Sequence, residues 1–203
     1  MSVKTVGISF QEVMSGGFAL GETDAAAGKK KGRSEGSELT LHGSILIEDL
    51  GRFIAEAEHP GKLSGTIDFT PFGDGLASTS GVFNLFRPTD DPRLTLMVYE
   101  MGFTDGGKAY YFAGQKNVRD DPGFDLWSDT TTLYSTLHEG TDKSGPTIGA
   151  GILTLGVKQL IQLLGTMAAP GAETFEEKSA AFTKFGGFFL GELWNTYVRH
   201  AKI

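Results

Sequence analysis

From the amino terminus to about Leu155, apolar and polar residues alternate with a period of two, the pattern of strands with one buried face. Ile8, Phe10 and Met14 share a face of the first predicted strand, and Leu39, Leu41, Ile45 and Ile47 a face of the second. Leu63, Ile67 and Phe69 mark the third, and the fourth runs from about Leu76 to Phe86, ending at Pro88. The fifth spans Leu96 to Phe103, the sixth Ala109 to Val118, the seventh Leu126 to Leu137 and the eighth Ile148 to Leu155. The seventh is assigned on its Thr, Tyr and Trp residues, which favour strands. Turn chemistry separates the runs: Gly73-Asp74-Gly75, Asp90-Asp91-Pro92, Asp105-Gly106-Gly107 and Asp120-Asp121-Pro122-Gly123. Short connections favour antiparallel sequence neighbours. About eight such strands without crossover helices predict a mainly β protein, an antiparallel up-and-down barrel, with a sandwich as the alternative.

Glycine recurs within the strands, at Gly43, Gly65, Gly81, Gly114 and Gly151. Interior glycine marks bends, bulges or close approaches, which a tightly coiled barrel needs. Two segments break the alternation. Gly21 to Ser37 is small and polar, with Lys29-Lys30-Lys31-Gly32-Arg33, and reads as a long mobile loop. Asp49 to Glu58 reads as a short helix or turn capped by Asp49.

After Leu155 the period lengthens. Val157, Leu160, Ile161 and Leu164 take helical spacing up to Pro170-Gly171. Thr174 is placed to cap a second helix with Glu176 and Glu177 in its first turn. Phe182, Phe185, Phe189, Leu193 and Tyr197 form one apolar stripe along it. Gly186, Gly187 and Gly191 each cost this helix about 1 kcal/mol, so close docking on the barrel wall is expected to offset them, with a homodimer seam as the alternative. The chain is therefore expected to be one domain, residues 1–155 forming the barrel and 156–203 two helices packed on it.

Composition narrows the function classes. The chain has no cysteine, which removes disulfides, thiolate metal sites and a cysteine nucleophile. Its net charge of −7 argues against a general nucleic-acid binder. The 29 glycines in 203 residues follow no collagen period. No signal peptide or spanning stretch is read in the sequence, so a cytoplasmic location is expected. No phosphate loop or dinucleotide fingerprint appears, and the histidines His42, His59, His138 and His200 have neither catalytic nor metal-site context. No metal, no cofactor and no catalytic set are expected.

Charges on apolar faces carry the chemistry. Glu12 lies with Phe10 and Met14, Lys116 with Tyr110, Phe112 and Gly114, and Asp129 with Trp127, Thr131 and Leu133. A buried unpaired charge costs several kcal/mol, so Lys116 is expected to pair with Glu12 or Asp129. Such a pair either fixes strand register or anchors the polar end of a ligand. Tyr99, Phe103 and Phe112 are expected to line the apolar part of a cavity beside that cluster.

Several motifs have a familial look: Phe10-x-Glu12-x-Met14-x-Gly16, His59-x-x-x-Leu63-x-Gly65, Gly81-x-Phe83-x-Leu85-Phe86, Met97-x-Tyr99-x-Met101-x-Phe103, Gly114-x-Lys116, and Asp125-x-Trp127-x-Asp129-Thr130-Thr131-Thr132-Leu133-Tyr134. Together they resemble an uncharacterised bacterial domain, found alone or fused to cholesterol-oxidase-like (GMC-type) oxidoreductases and α/β-hydrolase-like proteins. The resemblance implies an accessory role near lipid or sterol metabolism and carries over no flavin chemistry. The architecture is also similar to calycin-like barrels, the lipocalins and the allene-oxide-cyclase and dirigent group, although the lipocalin Gly-x-Trp signature is missing. The expectation is a non-enzymatic barrel binding a lipid- or sterol-like molecule through Glu12, Tyr99, Phe103, Phe112, Lys116, Trp127 and Asp129. The alternatives are a cyclase or isomerase using Glu12 or Asp129, and a solid interaction module.

Overall fold

A computed structural model describes residues 5–119 and 126–198. The turn at Asp120–Gly123, residues Asp125 and His200, and the side chain of Tyr197 lie outside the described residues. Eight antiparallel strands close into a barrel in sequence order: β1 (Ile8–Leu20), β2 (Glu38–Ile47), β3 (Pro60–Phe69), β4 (Gly73–Pro88), β5 (Leu94–Asp105), β6 (Lys108–Arg119), β7 (Thr132–Glu139) and β8 (Thr147–Thr154). The alternating residues read from sequence point inward, including Phe10, Leu41, Leu63, Phe83, Phe112 and Leu137, all buried. Gly65, at φ 146°, sits where the β3–β4 register shifts, and a Cβ there would lie 1.9 Å from the His42 carbonyl oxygen.

The two ends of the barrel differ. The tight β3–β4 and β5–β6 connections lie at one end, where Phe18, Phe69, Phe72, Phe103 and Tyr110 pack ring to ring at centroid distances from 4.7 to 6.2 Å. These rings fill that end. The other end is covered by helices α2 (Leu50–Ala55), α3 (Leu126–Thr131), α4 (Val157–Thr166) and α5 (Phe175–Val198). Asp49 caps α2 by accepting from Arg52 N at 2.9 Å. Thr174 Oγ1 accepts from Glu177 N at 3.1 Å, while Glu177 Oε2 accepts from Thr174 N at 3.3 Å, a reciprocal cap for α5.

Closure is uneven. β1 pairs with β2 from Ile8 to Gly17, but with β8 only from Ser15 to Leu20. The chain returning from α4 takes up the unpaired edge: Ser9 and Ala168 exchange both backbone hydrogen bonds at 2.9 Å, and Gly7 N donates to Pro170 O at 2.8 Å. Thr166 Oγ1 accepts from Gln11 N at 2.9 Å. This short added strand leads the chain across the barrel mouth into α5.

The helical complement departs from the sequence reading. The expected loop at 21–37 contains a helix, α1 (Ala25–Glu35), capped by Asp24, which accepts from Ala27 N at 2.8 Å, and by Gly36 at φ 66°. Its buried residues are Gly28 and Gly32 rather than large apolar side chains, so periodicity gave no signal. A Cβ on Gly28 would sit 1.9 Å from Ala150 O, and one on Gly32 2.4 Å from Phe18 N. The second correction concerns residues 126–131, read as the start of the seventh strand. They form α3, where Thr131 Oγ1 donates to the Trp127 carbonyl, a local bond that competes with strand pairing.

The glycines of α5 are a third correction. Apart from their chain neighbours and the helix's own backbone, no atom lies within 4 Å of a Cβ placed on Gly186, Gly187 or Gly191, so intramolecular close docking does not require them. The close helix-to-barrel approach expected of α5 is made by α1 instead. Gly32→Ala should therefore lose about 1–3 kcal/mol through overpacking, whereas Gly187→Ala should gain about 0.5–1 kcal/mol. Urea denaturation of the two variants beside the parent checks both signs.

Candidate functional site

Beneath the mouth helices lies a cavity of about 630 Å³. Barrel residues Phe10, Phe83, Leu85 and Met97 form its inner wall, with Trp127 of α3 beside them. Leu160 and Leu163 of α4, Met167 just after it, and Phe185, Phe189 and Leu193 of α5 cover it. The predicted α5 stripe thus faces the barrel at Phe185, Phe189 and Leu193, while Phe182 is turned partly to solvent.

A kink in β4 shapes this wall. Phe86 has φ 57°, an uncommon left-handed conformation for a bulky residue, and the β4–β5 register shifts between Asn84 and Arg87. The irregularity lets consecutive side chains serve different contacts, a common use of bulges beside functional sites. Leu85 lines the cavity, while Phe86 packs under α5 with its ring 5.3 Å from Phe189. Phe53 and His59 support the same helix through Phe188, at 5.5 and 4.7 Å.

The cavity floor is ionic. Lys116 Nζ donates to Glu12 Oε1 at 2.6 Å, and Tyr99 Oη donates to Glu12 Oε2 at 2.8 Å. The ammonium also lies 4.8 Å from the Tyr99 ring centroid, within cation–π range. The Lys116 and Glu12 side chains are each only 3% exposed. β1, β5 and β6 bring the three together because Glu12, Tyr99 and Lys116 all occupy inward positions of the alternation. Of the two partners expected for Lys116, the structure selects Glu12. Asp129 instead accepts from Arg119 N at 3.1 Å, because the α3 helix removes it from the face a strand would have given it.

Burial pushes the Tyr99 phenol well above its ordinary value of 10.0, and the Glu12 charge and hydrogen bond raise it further. Tyr111, on the barrel exterior, is also raised by partial burial and by its 2.8 Å bond to Glu100 Oε2.

Trp127 lines the cavity and remains about half exposed at its mouth. Phe103 and Phe112 do not line it. Phe103 belongs to the aromatic packing at the closed end, and Phe112 is fully buried, four positions along β6 from Lys116. Period-two reasoning placed them on the correct face but could not assign their depth along the barrel. The sequence reading also missed the lining contributed by α4 and by Leu85, although the apolar helical spacing of Leu160, Leu163 and Leu164 was a usable signal.

His42 pairs with Asp68 at 2.8 Å, His59 Nδ1 lies 2.9 Å from Phe53 O, and His138 Nδ1 lies 3.0 Å from Gly145 O. Among the described residues, no group of three or more His, Asp or Glu side chains converges as a metal site would. Among those residues, no helix is long and apolar enough to cross a membrane. Fold and site together define an eight-stranded up-and-down barrel, filled at one end, with a helix-covered apolar cavity over a buried ion pair at the other. No protein-family model, curated protein or solved structure matches the chain.

Lys116→Met leaves Glu12 buried without its cation and should cost about 3 kcal/mol. Adding Glu12→Gln should recover more than half of that loss, since Gln still offers Tyr99 an acceptor. A double-mutant cycle by chemical denaturation measures the coupling.

The tyrosines predict an alkaline limit. A phenol whose folded-state value is raised contributes stability that is whole below the unfolded value of 10.0 and is lost as pH rises towards the folded value. The denaturation midpoint should therefore fall above about pH 10, and less steeply in Tyr99→Phe. In an ultraviolet titration, the ionisation of Tyr99 and Tyr111 should coincide with unfolding, and the coincident absorbance change should shrink in Tyr99→Phe.

Proposed function

We propose that the protein is a non-enzymatic binding barrel for a hydrophobic, lipid- or sterol-like small molecule. The observation that carries this reading is the cavity of about 630 Å³ with apolar walls and a polar cluster at its floor. Ligand pockets commonly occupy 300–1,000 Å³, with mostly apolar lining and a few placed polar groups. A barrel acting only as a solid scaffold has no need of that space. Apolar burial against Leu85, Met97 and the α4 and α5 side chains supplies affinity. The Glu12–Tyr99–Lys116 cluster fixes orientation, because an apolar end placed there would leave charged hydrogen-bonding groups without a polar neighbour. Apolar side chains at the mouth, Trp127, Leu164 and Leu190, remain substantially exposed and give an apolar guest a continuous path inward.

The test uses Nile red, a neutral apolar dye. The wild-type protein should take it up saturably, with one site and a micromolar or tighter Kd. Met97→Trp, which projects an indole into the cavity, should weaken uptake at least about tenfold without lowering Tm. Absence of saturable uptake by the folded wild type would overturn the reading.

A further inference from the structure

Resting on the ligand-binding reading above, we infer that the cavity selects an uncharged apolar molecule bearing a hydroxyl group and discriminates against fatty-acid anions and amines. The floor already balances its own charge, with one ammonium and one carboxylate 2.6 Å apart. Both side chains are buried, so a further charge brought beside them is poorly screened by water. A ligand carboxylate could accept from Lys116 but would stand beside Glu12 as a second anion in a confined space. A ligand ammonium would meet Lys116 in the same way.

The unused hydrogen-bonding capacity has two signs. Lys116 Nζ has three donors, and Glu12 Oε1 is its one hydrogen-bond acceptor among the described residues. The Glu12 carboxylate has about four acceptor positions and holds two donors, from Tyr99 and Lys116. Thr131, on the cavity wall, donates to the Trp127 carbonyl, so its proton is already committed. A hydroxyl carries one donor and two acceptor lone pairs. It can accept from Lys116 while donating to Glu12, and it adds no charge. A ketone or ester uses only the lysine side of the pair, and an alkane uses neither. The floor is complementary to an alcohol at the leading end of an apolar body.

The experiment measures displacement of Nile red from the wild-type protein near neutral pH by 1-decanol, decanoate and decylamine. Each affinity is normalised to that compound's own water–octanol partition, which leaves the head group's contact with the floor. After normalisation, 1-decanol should bind at least about tenfold more tightly than either ion. Glu12→Gln should shift the normalised ratio at least about tenfold towards decanoate, because the ligand carboxylate then replaces the missing anion opposite Lys116. If decanoate or decylamine matches 1-decanol on the wild type, or the ratio is unchanged in Glu12→Gln, the inferred selectivity is overturned while dye binding still supports a hydrophobic site. If Glu12→Gln does not fold, the wild-type series decides. If the folded wild type takes up no Nile red saturably, the binding reading fails and the selectivity that rests on it fails too.

Discussion

The backbone of β1 constrains the rest of the molecule. β2 pairs with it from Ile8 to Gly17 and β8 from Ser15 to Leu20, so the two neighbours overlap only at Ser15–Gly17 and β8 does not reach its first half. Buried amide and carbonyl groups need partners, and an open edge inside a barrel wall would leave a run of them without any. The chain answers with Ser9–Ala168, Gly7–Pro170 and Gln11–Thr166 hydrogen bonds from the segment that follows α4. That repair seats α4 over the gap and delivers α5 across the mouth. The cavity exists because helices, and not a full-length eighth strand, complete this side of the barrel.

The ion pair on the floor follows from the same geometry. Glu12 lies on the half of β1 that β8 leaves uncovered, and Lys116 projects inward from β6 to meet it. A buried pair of this kind is weak support for stability, since desolvation offsets much of its attraction. Its position at the base of an apolar chamber is what the proposed binding role draws on, beyond holding strands in register. Tyr99 ties the carboxylate to β5, so three strands share one fixed polar point.

Much of the barrel was legible in the sequence because period-two alternation is strong where one face is buried. Phe10, Glu12 and Lys116 were assigned to apolar faces from spacing, and Tyr99 was expected to line a cavity beside them. Helix α1 was hidden because its packing face is Gly28 and Gly32, which carry no hydrophobic signal. Helix α3 was hidden because Trp127 and the threonines favour strands, and a local hydroxyl-to-carbonyl bond prevailed over that preference. The Glu12–Lys116 pair followed from the cost of burying a lone charge, and Asp129 was lost from it only because α3 was misread. The depths of Phe103 and Phe112 depend on three-dimensional stagger, which alternation does not encode.

The five rings at the far end make the barrel a blind tube, with the same opening for arrival and departure. In the proposed binding role, a guest anchored head-first at Glu12 and Lys116 would have its tail directed outward beneath α4 and α5. Added chain length then meets the two helices and not the floor. Discrimination by length would reside in the lid, discrimination by head group in the strands, and either could change in evolution without disturbing the other.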